Sequence, residues 1–210
     1  ELNANRKLVE KFRSRLDIDH LEFDKDIPVV NKLYECISYI NSSFVGLVAD
    51  DDYLSLDVAL KCLDFLRESE DYVFCTGSAA IIYGDKIHGR APDKVTFSDQ
   101  ITSGSPVERL REYSECKRQK MYGIHRRVVL EAALGDTLRL IRRPLDIFAE
   151  HFIYMSIVAR GRTACLTEVA LLFVKHVGNA SYDVRALDLP VSGQDTYSAQ
   201  VDLAVELLQN

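Results

Sequence analysis

Phe44-Val45-Gly46-Leu47-Val48-Ala49 is an unbroken apolar run, and it ends on three consecutive aspartates, Asp50-Asp51-Asp52. A strand of that composition has no face suited to water, so it requires cover on both sides, as in a parallel sheet with helices above and below. The neighbouring segments alternate accordingly. Leu2, Leu8, Val9, Phe12 and Leu16 recur at helical spacing over residues 1–16, and His20-Leu21-Glu22-Phe23 reads as a strand. Pro28 opens a helix through Val29, Leu33, Cys36, Ile37 and Ile40, which Asn41-Ser42-Ser43 ends. A helix over residues 55–68 follows the aspartates, then a strand over 72–75 that continues through 79–83. This succession predicts an α/β layered domain with a mostly parallel central sheet flanked by helices.

Residues 84–104 turn to Gly, Pro, Asp, Lys and Ser with little periodicity, which predicts a functional loop or simply a variable surface one. Ser105-Pro106-Val107-Glu108 combines a capping box with proline at the first helical position, so a helix starts there and is expected to run to about Lys120. Pro144 opens a long apolar helix (Leu145, Ile147, Phe148, Phe152, Ile153, Met155, Ile157, Val158) that stops at Gly161. Strand character returns over 163–176, and 197–208 reads as a closing helix. No internal repeat is visible, and one domain is expected over residues 1–210.

At 210 residues the chain can bury roughly 70% of its unfolded surface, so it needs no disulfide or structural metal. Its five cysteines stand singly and odd in number, which predicts free buried thiols in a reducing, cytoplasmic setting. The balance of 26 basic against 32 acidic residues, with no long basic run, argues against nucleic acid as a partner. The longest uncharged stretch, 36–49, is too short to span a bilayer, and no leader opens the sequence. The first residue, Glu1, already lies within a helical pattern, from which an upstream portion is expected.

No GxGxxG after a strand, GxxxxGK[ST], GxSxG or HExxH occurs, which removes the common dinucleotide, P-loop, serine-hydrolase and zinc-protease readings. The aspartates at the carboxyl end of a strand remain, where open α/β sheets place their ligands. Along an extended segment Asp50 and Asp52 share one side and Asp51 points away. Two carboxylates on one side can grip Mg²⁺ or Mn²⁺, leaving positions for water and diphosphate oxygens. Alternatively, one aspartate caps the helix near Ser55 and the others are solvated, at a cost in repulsion.

Leu47-Val48-Ala49-Asp50-Asp51-Asp52, preceded by a helix carrying Asn31-Lys32 and followed by a helix and a strand, resembles the DxD region of bacterial glycosyltransferases of the Rossmann-like GT-A fold, the family-2-like group. Glu150, leading to Gly161 and then a strand from Thr163, is similar to the acidic residue that opens the catalytic helix of that family. The resemblance makes Glu150 the base, with Asp146 the other candidate. Met121-Tyr122-Gly123-Ile124-His125-Arg126 is similar to the stretch preceding the acceptor-side helix, and His176 falls where some members place a histidine near metal and diphosphate. The likeness covers roughly residues 1–180. It departs at the start: the family's first strand, helix and second strand, which form much of the nucleoside pocket, are not represented. Residues 1–104 are thus expected to be a truncated donor and metal half, and 105–210 the acceptor half.

The residues also support part of this alone. Asp146 and Glu150 sit four apart on one helical face that continues as Ile153, Tyr154 and Ile157, a setting for a general base. Both acids equally complement the positive end of the helix dipole beside Arg142 and Arg143. Lys32 can reach a phosphate or remain solvated; His125 is a ligand or a satisfied polar group; Arg126 and Arg127 read as a surface pair. The expectation is a metal-dependent glycosyltransferase moving a sugar from a nucleotide diphosphate donor to the hydroxyl of a glycan, lipid-linked or small-molecule acceptor, with inversion. Asp50 and Asp52, with His176, hold the ion; Asp50, Asp51 and Lys32 contact the donor, Asp51 at its ribose. Two alternatives stand beside it: a non-catalytic interaction module, and a magnesium-dependent nucleotidyltransferase.

Overall fold

The computed structural model describes residues 2–49, 52–84, 91–116, 121–140 and 149–175. Their elements run in the order α1 (Leu2–Phe12), α2 (Val29–Ser38), β1 (Phe44–Leu47), β2 (Tyr53–Leu54), α3 (Leu56–Glu68), β3 (Tyr72–Tyr83), β4 (Lys94–Thr96), α4 (Pro106–Glu115), β5 (Gly123–Arg126), α5 (Arg127–Leu140), α6 (Ala149–Arg160) and β6 (Arg162–Lys175). The α/β class holds, but the sheet is mixed rather than mostly parallel. Its six strands follow the order β1-β5-β3-β6-β2, with β4 beside β3. Among the described residues only β3 and β6 run parallel, over Tyr72↔Arg162 to Tyr83↔Lys175, and the other strand pairs are antiparallel. Strands from either side of residue 104 alternate across this one sheet.

The apolar run at 44–49 explains part of the misreading. Only Phe44–Leu47 is strand, it lies at the end of the sheet order, and it is half-buried rather than covered on both faces. Its partner β5 carries His125 and Arg126, whose polarity conceals a strand from hydrophobic patterning. Residues 20–23 form no strand, because alternation over four residues specifies nothing without a partner to pair with. The 84–104 segment is not irregular throughout: Lys94–Thr96 pairs with β3, and Ile101 bridges Thr163. The helix at 106 ends at Glu115 rather than near Lys120, while the expected start at Pro144 and the closing helix at 197–208 lie outside the described residues.

Two apolar clusters cover the sheet. One joins α3 to the strands through Val58, Cys62, Leu66, Cys75, Ala79, Leu171 and Phe173. The other gathers α2, α4, α5 and α6 through Val30, Ile37, Tyr113, Leu130, Leu134, Phe152, Ile153 and Ile157. From Phe152 to Ala159 every residue of α6 is buried, as expected of a helix apolar all round. The α4 boundary holds as read: the Glu108 amide donates to Ser105 Oγ at 3.2 Å, and the Ser105 hydroxyl donates to Glu108 Oε2 at 3.0 Å. Asp136 of α5, nearly buried, ties that helix to α6 by accepting from Arg160 at 2.8 Å and from the Ser156 hydroxyl. All five cysteines are free thiols, Cys62 and Cys75 buried and the others half-buried. Among the described residues no helix is long and apolar enough to cross a membrane.

Candidate active site

The bend between β1 and β2 places Asp52. The strand stops at Leu47, and the Asp52 amide closes back on the Ala49 carbonyl at 3.3 Å, so the side-to-side alternation of an extended strand does not reach as far as Asp52. Asp52 is half-buried, and its Oδ1 accepts from the Val174 amide at 3.3 Å, near the carboxyl end of β6. The N-cap of α3 is Ser55 rather than an aspartate. Asp50 and Asp51 lie outside the described residues, as do Asp146 and His176.

Glu150 occupies the first turn of α6, exposed, and the helix runs to Arg160 with Gly161 leading into β6, the sequence of elements expected for it. Its Oε1 accepts from the Tyr122 hydroxyl at 2.9 Å. The Tyr122 ring meets that of Phe173 edge-on, 6.1 Å between centroids. Val174, which binds Asp52, is the next residue. Asp52 and Glu150 therefore reach successive residues of one strand, Glu150 through the intermediary of Tyr122.

Other candidates divide. Lys32, half-buried in the first turn of α2, makes no ion pair among the described residues, and no contact there joins it to Asp52 or Glu150. His125 is fully buried against Phe74, 4.5 Å between ring centroids, and serves the core rather than a ligand. Its Nε2 donates to the Met121 carbonyl at 2.7 Å, which leaves Nδ1 as a bare acceptor with no partner among the described residues. Arg126 is not a surface group: its guanidinium donates to the carbonyls of Tyr72, Leu66 and Ser69 at 2.8, 2.7 and 3.1 Å and so stitches β5 to the end of α3. Arg127 pairs with Glu131 at 2.8 Å.

Sequence reasoning missed two neighbours of Glu150. Tyr122 belongs to a segment already singled out, but nothing local marks its hydroxyl as a carboxylate donor. His151 follows Glu150, and its Nδ1 meets the Tyr113 hydroxyl; burial pulls its imidazole below the ordinary range, and burial drives the Tyr113 phenol upward. The pair is thus held neutral beside the exposed carboxylate.

Burial also depresses His125, to about 4 from 6.5. The folded chain therefore rejects a proton that the unfolded chain accepts, so this contribution to stability is complete above pH 6.5 and is lost as pH falls toward 4. Chemical denaturation is expected to show a loss of about 2 kcal/mol between pH 7.5 and 5 from this group. His125→Phe should flatten that slope, and an unchanged slope would show that His125 is not the titrating group.

No protein-family model matches the chain, and no curated protein does either.

Proposed function

We propose that this chain is a glycosyltransferase of the GT-A type, transferring a sugar from a nucleotide diphosphate donor to an acceptor hydroxyl with the help of Mg²⁺ or Mn²⁺. The observation that supports it is that Asp52, through the Val174 amide, and Glu150, through Tyr122 and its ring contact with Phe173, are linked to adjacent residues of β6 from positions far apart in sequence. An ion site and a base site must lie close together if a sugar is to pass between diphosphate and hydroxyl, and links to adjacent residues of one strand are in keeping with that need. The α/β class and the parallel β3–β6 pair are the part of the fold that agrees with this reading; the other strand pairs are antiparallel.

Asp52 suits a hard cation: it is an oxygen donor, and the Val174 amide fixes its carboxylate. Asp50 and His176 are the further ligands in this reading, and Asp51 and Lys32 meet the donor. Among the described residues no three His, Cys, Asp or Glu side chains form a metal-binding group, and Asp50, Asp51 and His176 are not among them. When bound, the ion offsets the charge that builds on the departing diphosphate. Glu150 takes the proton of the acceptor hydroxyl as that oxygen attacks the anomeric carbon, with inversion.

Thermal-shift measurements with a panel of nucleotide diphosphate sugars, with Mn²⁺ or with chelator, test this. One donor should stabilise the wild type only with the metal, by about 2.7 kcal/mol at a hundredfold excess over Kd, and should not stabilise Asp52→Ala. Donor-independent melting in every condition would overturn the proposal in favour of a non-catalytic module.

A further inference from the structure

Glu150 is a long, exposed side chain at the first turn of a helix, and left alone it would sample several rotamers. A general base needs one fixed position. Its neighbour supplies that position. Tyr122 is half-buried between both apolar clusters, with its ring against Phe173. Its backbone is held as well: the Thr76 hydroxyl donates to the Tyr122 carbonyl at 2.9 Å, and Gly123, the next residue, is pressed against β3. The phenol oxygen thus has its place set by the sheet, and it donates to Glu150 Oε1 at 2.9 Å. Among the described residues no other group binds that carboxylate.

We propose that Tyr122 is the positioning residue for Glu150: its hydroxyl holds Oε1 and leaves Oε2 as the oxygen that meets the acceptor hydroxyl. The inference rests on the transferase reading for the role of Glu150, but the coupling of the two side chains stands apart from it. Tyr122→Phe keeps the ring packing and removes only the donor, so the fold is expected to persist.

Two readouts on the full chain decide the matter. The first is the side-chain carboxyl ¹³C resonance of Glu150, assigned by its disappearance in Glu150→Gln and read at pH 7.5. It should move in Tyr122→Phe while the other glutamate resonances stay in place. The second is transfer from the donor identified by thermal shift to a hydroxyl acceptor. There Tyr122→Phe should lower kcat roughly ten- to a hundredfold, the worth of one hydrogen bond to a charged group, with the donor KM unchanged. Glu150→Gln should lower it further, and the double variant should be no slower than Glu150→Gln. An unmoved resonance, or additive losses in an active enzyme, overturns the role of Tyr122. A moved resonance in a wild type that transfers nothing overturns the transferase reading while the Tyr122–Glu150 coupling holds.

Discussion

Arg109→Met is expected to destabilise the fold by roughly 3–5 kcal/mol, because it leaves buried backbone carbonyls without donors at about 1–3 kcal/mol for each one that finds no other partner. For a chain of this length that corresponds to a fall in Tm of roughly 6–20 °C. Arg109 is 6% exposed, and its guanidinium donates to Val158 and Ala159 at 2.7 Å each, to Gly104 at 2.8 Å and to Ser103 at 3.3 Å, all backbone carbonyls. Two of these belong to the last turn of α6, where helix carbonyls lack partners of their own and where the dipole favours a cation. Burial and the nearby Arg162 lower its pKa, while Glu112 opposes them. A buried ion pair can often be replaced by apolar residues at little cost, because both charges leave together. Here the acceptors are backbone and remain, so methionine fills the volume and strands four carbonyls. Arg67→Met is the comparison: that arginine pairs with Asp64 at 3.2 Å on the exposed face of α3, and its loss should cost under about 0.5 kcal/mol. Guanidinium denaturation of both variants measures the contrast, and a cost below 1 kcal/mol at Arg109 would contradict it.

The same residue shows where sequence reading reaches its limit. The start of α4 was legible because a capping box and a proline are local instructions, and the close of α6 at Gly161 likewise. That Arg109 leaves α4 to cap α6 was not, since nothing near position 109 specifies a partner some fifty residues away. The sheet failed for a related reason. An apolar hexapeptide fits a central parallel strand or an edge strand equally, and pairing partners decide which. β5 escaped notice because His125 and Arg126 read as polar, whereas the fold buries the His125 ring with one nitrogen on a carbonyl and turns the Arg126 head to three more. In the candidate site, Asp52 and Glu150 stand out in the sequence by residue type and by the elements they open or follow, but their partners, the Val174 amide and the Tyr122 hydroxyl, do not. Tyr122, which links Glu150 to β6, was readable only as part of a segment, because its contacts at Glu150 and Phe173 are products of the tertiary fold.

Gly123→Ala joins fold and site in one experiment. Gly123 begins β5 with φ +156°, a conformation unfavourable for alanine, and a Cβ there would stand 2.7 Å from the Cys75 carbonyl oxygen and 2.8 Å from Phe74 Cε2 and Thr76 Cβ. None of these can retreat cheaply: the first is backbone of the paired strand, and Phe74 and Thr76 are each 1% exposed. β5 must therefore draw away from β3 at Cys75↔Ile124, which also pulls the Tyr122 carbonyl from the Thr76 hydroxyl. Backbone strain and overpacking together cost about 2–6 kcal/mol. Gly135→Ala provides the contrast within α5. Its Cβ would meet only Tyr34 Cε2, at an ordinary 3.6 Å, and helix propensity alone then favours alanine by up to about 1 kcal/mol. Denaturation curves should thus move in opposite directions for the two substitutions. In the Gly123→Ala protein, below its melting temperature, the Glu150 carboxyl resonance should shift as it does in Tyr122→Phe, because the displaced strand carries Tyr122 with it. Gly123→Ala stability within 1 kcal/mol of wild type would mean that the β3–β5 seam is looser than its contacts indicate and does not fix the position of Tyr122.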